Sequence, residues 1–120
     1  MSFAKRFNKE KKFNIDTQGF GYTALQDLYN ANGKNAVYPL KGIYINTKGK
    51  FADNPVFITI ISGVGFLVNV PSHMMDVVRE ILIDEEAVAD INAGKVGFMI
   101  YQYHSKNFNR DCLSVEFKDM

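Results

Sequence analysis

Hydrophobic positions along the chain fall into strand-like blocks, with one helix-spaced stretch between the third and fourth of them. From Lys12 to Leu25 the alternation is loose (Phe13 and Ile15, then Phe20 and Tyr22) and breaks at Gly19 and Gly21, which predicts a first strand with a bulge or sharp bend. Leu25 to Tyr29 reads as a helical turn that ends in a loop from Asn30 to Asn35. A second strand follows from Val37 to Asn46, closed by a hairpin connection through Lys48, Gly49 and Lys50. Pro55 to Val70 is apolar and β-branched, interrupted at Ser62, Gly63 and Gly65, and reads either as one long bulged strand or as two strands around a turn.

Pro71 and Ser72 then change the period. Met74, Val77, Val78, Ile81 and Leu82 recur at three- and four-residue spacing, which predicts a helix with one core-facing stripe and Ser72 as its cap. Asp84 is placed to cap a second short helix through Ile91, and Gly94 to stop it. Two closing strands are expected, Lys95 to His104 and Cys112 to Lys118. This order, mainly β with a helical insert, fits a five-stranded Greek-key barrel of the OB type with the helices between strands three and four. An α+β sheet with one covering helix is the competing fold.

At 120 residues the chain is long enough for one core and too short for two. With 47% hydrophobic and 22% charged residues it is not a disordered composition, and no apolar run reaches the roughly 18 to 20 residues of a membrane span. The N-terminus lacks the apolar segment of a secretory signal, and the single cysteine, Cys112, excludes an intramolecular disulfide. A soluble protein that does not engage membranes is expected.

The net charge of +1 hides a division. Residues 1–12 hold five basic side chains against one acid, and residues 72–95 hold six acids against two basic side chains. Residues 1–12 are therefore expected to form a basic flexible segment and residues 13–120 a single domain.

Two stretches carry candidate chemistry. Between Gly33 and Phe51 stand Lys34, Lys41, Lys48 and Lys50 with no acid, threaded by Tyr38, Tyr44 and Phe51. In strand two Tyr44 faces away from Ile43 and Ile45, so its ring is exposed if they face the core, and Tyr38 would share that side. Lys41 would join it only through a bulge near Gly42. The final hairpin places Tyr101 and Tyr103 on one strand face and His104, Lys106, Phe108 and Arg110 in the connection. Lysine and arginine beside rings suit single-stranded nucleic acid, where cations meet phosphates and rings meet base faces. In the competing reading Phe108 folds back over the barrel mouth and the charges keep the tip soluble.

Enzymatic signals are weak. His73 and His104 are 31 positions apart, with no HExxH and no cysteine pair, and Gly63, Val64 and Gly65 lack the GK[ST] of a phosphate-binding loop. No catalytic residue, metal or cofactor is expected.

Four strings together, YPLKGIYINTKGKF (Tyr38 to Phe51), VNVPSHMMDVVREIL (Val68 to Leu82), NAGKVGFMIYQY (Asn92 to Tyr103) and CLSVEF (Cys112 to Phe117), make the chain resemble the small single-stranded-DNA-binding proteins of bacteriophages that infect lactococci and related bacteria. That resemblance implies an OB fold and sequence-tolerant binding of single-stranded DNA in phage replication or recombination. It also implies self-association into a homodimer or higher oligomer, replication or recombination proteins as partners, and residence in the cytoplasm of the infected host. The chain departs from bacterial proteins of this function in having no flexible acidic tail after Phe117 and no tryptophan. The expected contacts are Lys41, Lys48, Lys50, Lys106 and Arg110 to phosphates and Tyr44, Phe51, Tyr101, Tyr103 and Phe108 to bases. The segment from Ile58 to Phe66 is the expected pairing surface. A protein-interaction module that recruits or blocks a host protein is the alternative function.

Overall fold

The computed structural model describes residues 12–47 and 53–120, so Lys48, Lys50 and Phe51, the turn that holds them and the basic segment up to residue 11 lie outside the described residues. The described chain is mainly β, with seven strands in two sheets and three helices. One sheet has the order β1 (Gly21–Ala24), β5 (Val64–Asn69), β4 (Asn54–Ile61), β3 (Gly42–Asn46). The other has the order β2 (Val37–Pro39), β6 (Val96–Ser105), β7 (Arg110–Asp119). The inner faces meet at Phe57, whose ring packs edge-on against Phe98 at 5.2 Å and tilted against Phe117 at 5.7 Å.

The two sheets are linked by one bent segment, and this corrects the expectation of a single strand from Val37 to Asn46. Leu40 N–H donates to Val96 O, yet the next amide, Lys41 N–H, donates to Ile58 O. The backbone therefore changes sheets at Leu40–Lys41. Tyr38 does not share the face of Tyr44. Its ring is buried against Phe98 at 5.3 Å and its hydroxyl donates to Leu28 O at 3.2 Å, anchoring helix α1 (Leu25–Asn32) to the sheet. No ladder joins β5 to β7 among the described residues, so the strands form two sheets that are not closed on each other.

The long first strand is also shorter than expected, because only Gly21–Ala24 enters a ladder, parallel to β5. The stretch before it satisfies its polar groups elsewhere: the Asn92 side chain accepts from Asn14 N–H and donates to Lys12 O, and the Lys12 ammonium donates to Leu82 O. Phe13 is buried against Gly42, where a Cβ would stand 3.2 Å from the Phe13 ring. Pro55 to Val70 resolves as two strands around Ser62 and Gly63. Both residues are left-handed, with φ of 51° and 81°, the geometry of a tight hairpin turn.

Between β5 and β6 lie a 3-10 turn (Ser72–Met74) and the helices α2 (Met75–Leu82) and α3 (Glu85–Asn92). Val78 and Met75 of α2 are buried. Ser72 does not cap α2 through its side chain. Asp84 does cap α3, its carboxylate accepting from Glu86 N–H at 3.0 Å and Ala87 N–H at 3.2 Å. At the other end Lys95 N–H reaches Asp90 O and Gly94 N–H reaches Ile91 O, with Gly94 at φ 75°. Among the described residues no helix is long and apolar enough to cross a membrane.

Candidate functional site

Strands β6 and β7 pair over ten residues each, from Val96↔Asp119 to Ser105↔Arg110. Ser114 is fully buried and Leu113 still packs on the main core, so the three pairs from Tyr103↔Cys112 to Ser105↔Arg110 extend the hairpin past it by about 10 Å. Alternation then sorts the side chains. Phe98 and Ile100 point into the core, whereas Met99, Tyr101 and Tyr103 point outward.

The outward rings are held in place. Tyr101 and Tyr103 lie 6.1 Å apart, and the His73 ring stands edge-on to Tyr103 at 6.3 Å. His73 is itself fixed by a 2.8 Å hydrogen bond between Nε2 and the Oγ of buried Ser114. Partial desolvation, then the neighbouring Cys112 and Tyr101, holds the Tyr103 hydroxyl protonated above its usual range. Tyr101 is the more open ring, at 38% exposure.

At the tip, Asn109 takes a left-handed conformation and Phe108 N–H reaches Ser105 Oγ at 3.4 Å. Phe108 does not fold back over the core. It is 68% exposed, and the Arg110 guanidinium lies 5.4 Å from its ring centre. Lys106 and Arg110 are both exposed beside it. Tyr101, Lys106, Phe108 and Arg110 are therefore exposed on one projecting element, with Tyr103 half-buried beside Tyr101.

The earlier stretch is not part of that element. Tyr44 lies on the outward face of the other sheet, where it packs on Val56, Ile58 and Leu67, and its hydroxyl meets that of Tyr22 at 2.5 Å. Burial first, then that hydrogen bond and the charge on Tyr22, push the Tyr44 hydroxyl well above the ordinary phenol range. Lys41 is half-buried at the bend between β2 and β3. Tyr44 and the hairpin rings thus occupy outward faces of two different sheets. In the segment Ile58 to Phe66, Ile58 and Thr59 are buried in strand β4, and Val64 at the turn is the strongly exposed one among its large apolar side chains.

Beside the hairpin is a cleft of about 470 Å³, lined by Tyr29 of α1, Lys34 and Asn35 of the following loop, and Gln102, His104 and Asp111 of the hairpin. His104 Nδ1 and Asp111 Oδ1 are 3.3 Å apart. Lys34 was visible in sequence as part of the basic stretch, but its place beside the hairpin depends on the β2–β6 pairing. Tyr29, Asn35 and Gln102 gave no signal, being ordinary polar residues in three separate elements. Among the described residues no group of three or more His, Cys, Asp or Glu side chains is placed to hold a metal ion.

Compared with protein-family models, curated proteins and solved structures, the chain finds no match.

Proposed function

We propose that the protein binds single-stranded DNA without strict sequence preference, through the outward face and tip of the β6–β7 hairpin. The observation that carries this reading is the column of rings Tyr101 and Tyr103 leading to a tip where Phe108 stands between Lys106 and Arg110. Rings spaced along a strand accept base faces, and the flanking cations neutralise phosphates. Each stacked base contributes about 1 to 3 kcal/mol, so two or three rings with a few cations give useful affinity. Lys48, Lys50 and Phe51 belong to the proposal on sequence grounds alone. Tyr44 and Lys41 are retained only for a strand that wraps from one sheet to the other.

The finer architecture belongs to the same proposal. A bent segment shared by two sheets, a β3–β4–β5 meander and helices inserted before a final hairpin are the features of an OB barrel, here with β1 lying beside β5. With the resemblance in sequence, they support a phage protein acting in DNA replication or recombination in the host cytoplasm. Because one small OB fold covers only about 4 to 16 nucleotides, the active species is proposed to be a homodimer or larger oligomer.

The test is fluorescence polarisation of a labelled thymidine oligonucleotide beside a matched duplex, at two salt concentrations. Salt-sensitive binding to the single strand alone is expected. No binding at low salt would overturn the proposal and favour the protein-interaction reading, for which exposed Phe108 under Arg110 is the natural anchor.

A further inference from the structure

Strand β6 continues after its neighbour on one side has ended. The ladder with β2 stops at Val37↔Met99, whereas the ladder with β7 runs on to Ser105↔Arg110. Leu40 N–H donates to Val96 O, so even-numbered β6 residues turn their backbone groups toward β2. Met120 N–H donates to Lys95 O, so odd-numbered ones turn toward β7. The N–H and C=O groups of Gln102 and His104 therefore line an edge with no backbone partner among the described residues.

That edge borders the cleft. A sheet edge with free amides is an anion-binding concavity, and Lys34 brings a full positive charge to it. The loop carrying Lys34 is set by two left-handed residues, Gly33 at φ 76° and Asn35 at φ 71°. The Asn35 and Gln102 carboxamides each offer a donor and an acceptor, the complement of a nucleobase edge. Tyr29 of α1 lines the same cleft and brings an aromatic residue to it. A volume of about 470 Å³ lies within the range of roughly 300 to 1,000 Å³ usual for small-ligand sites. Asp111, paired with His104, is the opposing charge.

We propose that this cleft is a nucleotide subsite. One backbone phosphate sits between the Lys34 ammonium and the free amides of Gln102 and His104, and its base lies against Tyr29 and the carboxamides of Asn35 and Gln102. The inference rests on the single-strand reading and adds a path to it: the strand leaves the outward face of the hairpin, crosses the free edge of β6 and enters the cleft. It also assigns Asp111 an opposing role, since its carboxylate repels the phosphate that Lys34 attracts.

The experiment is a titration of the full chain, labelled with ¹⁵N, with a six-nucleotide thymidine oligomer, alongside polarisation measurements on three variants. The Asn35 and Gln102 side-chain amides and the Gln102 and His104 backbone amides are expected to shift. Lys34→Gln should weaken binding about tenfold at low salt and lower the log–log salt slope by about 0.7. Asp111→Asn should tighten binding, and Arg79→Gln, which removes a charge from α2, should leave it unchanged. If the oligomer binds while the cleft amides stay fixed and Lys34→Gln matches Arg79→Gln, the subsite is wrong and the single-strand reading stands. If the wild-type chain fails to bind the oligomer at low salt, both fall.

Discussion

Replacing Tyr101 by alanine separates binding from folding at a single position. The ring is 38% exposed on the outward face, next to Tyr103 at 6.1 Å and across from Ser114, so it adds little to the core. Its neighbour contacts are worth about 0.2 to 1 kcal/mol, which lowers the melting temperature by about 1 to 5 °C in a domain of this size. The loss of one stacked base is larger, about 1 to 3 kcal/mol, which raises Kd about 5- to 150-fold. Ile100→Ala, one residue earlier and facing inward at 2% exposure, reverses the ranking and costs about 2 to 5 kcal/mol of stability. The assay is polarisation of labelled oligothymidine at low salt, with a circular-dichroism melt of the same sample. A folded Tyr101→Ala protein that binds within about twofold of wild type would refute the stacking argument.

Reversing the tip charges with Lys106→Glu and Arg110→Glu together should lower the log–log salt slope by about 1.4 while the melting temperature stays within about 2 °C, because both side chains are exposed. Tyr44 holds its proton more tightly in the fold than in the unfolded chain, so its contribution is complete below the ordinary phenol pKa of about 10 and is lost as pH rises beyond it. Melts from pH 9 to 11 should therefore fall more steeply for wild type than for Tyr44→Phe, and parallel curves would count against the burial and hydrogen bonding that hold the Tyr44 proton. Thr59 is fully buried and its hydroxyl has no partner among the described residues, so Thr59→Val should stabilise the protein by about 1 kcal/mol in urea unfolding. A loss of stability there would mean that the hydroxyl is satisfied.

Most local signals were legible in the sequence, although Ser72 does not cap α2, and signals that depend on distant partners were not. The caps of α3 could be read from Asp84 and Gly94 because the Asp84 carboxylate accepts from the amides of Glu86 and Ala87 and the Gly94 amide donates to the Ile91 carbonyl, all within three residues. The Met74-to-Leu82 stripe and the outward pair Tyr101 and Tyr103 follow from helix and strand periods alone. The bend at Leu40–Lys41 does not. Its two halves continue one alternation, and only the carbonyls of Val96 and Ile58, far along the chain, decide that successive amides enter different sheets. That bend is why Tyr38 is core and why Tyr44 is remote from the hairpin. Likewise Phe13 and Ile15 alternate like a strand, but the Asn92 side chain takes the hydrogen bonds that a ladder would have made. Lys34 was visible as charge, while its position beside Gln102 and His104 comes from where β2 stops.

The most direct measurement of the central claim is photocrosslinking of the wild-type chain to a single-stranded oligonucleotide carrying 5-iododeoxyuridine, with the adducts located by mass spectrometry. Adducts on the peptide holding Tyr101 and Tyr103 and at Phe108, suppressed by unlabelled single strand and not by duplex, are the predicted result. Adducts confined to β1, β3 and the surface around Tyr22 and Tyr44, or no adduct that single strand suppresses, would contradict it.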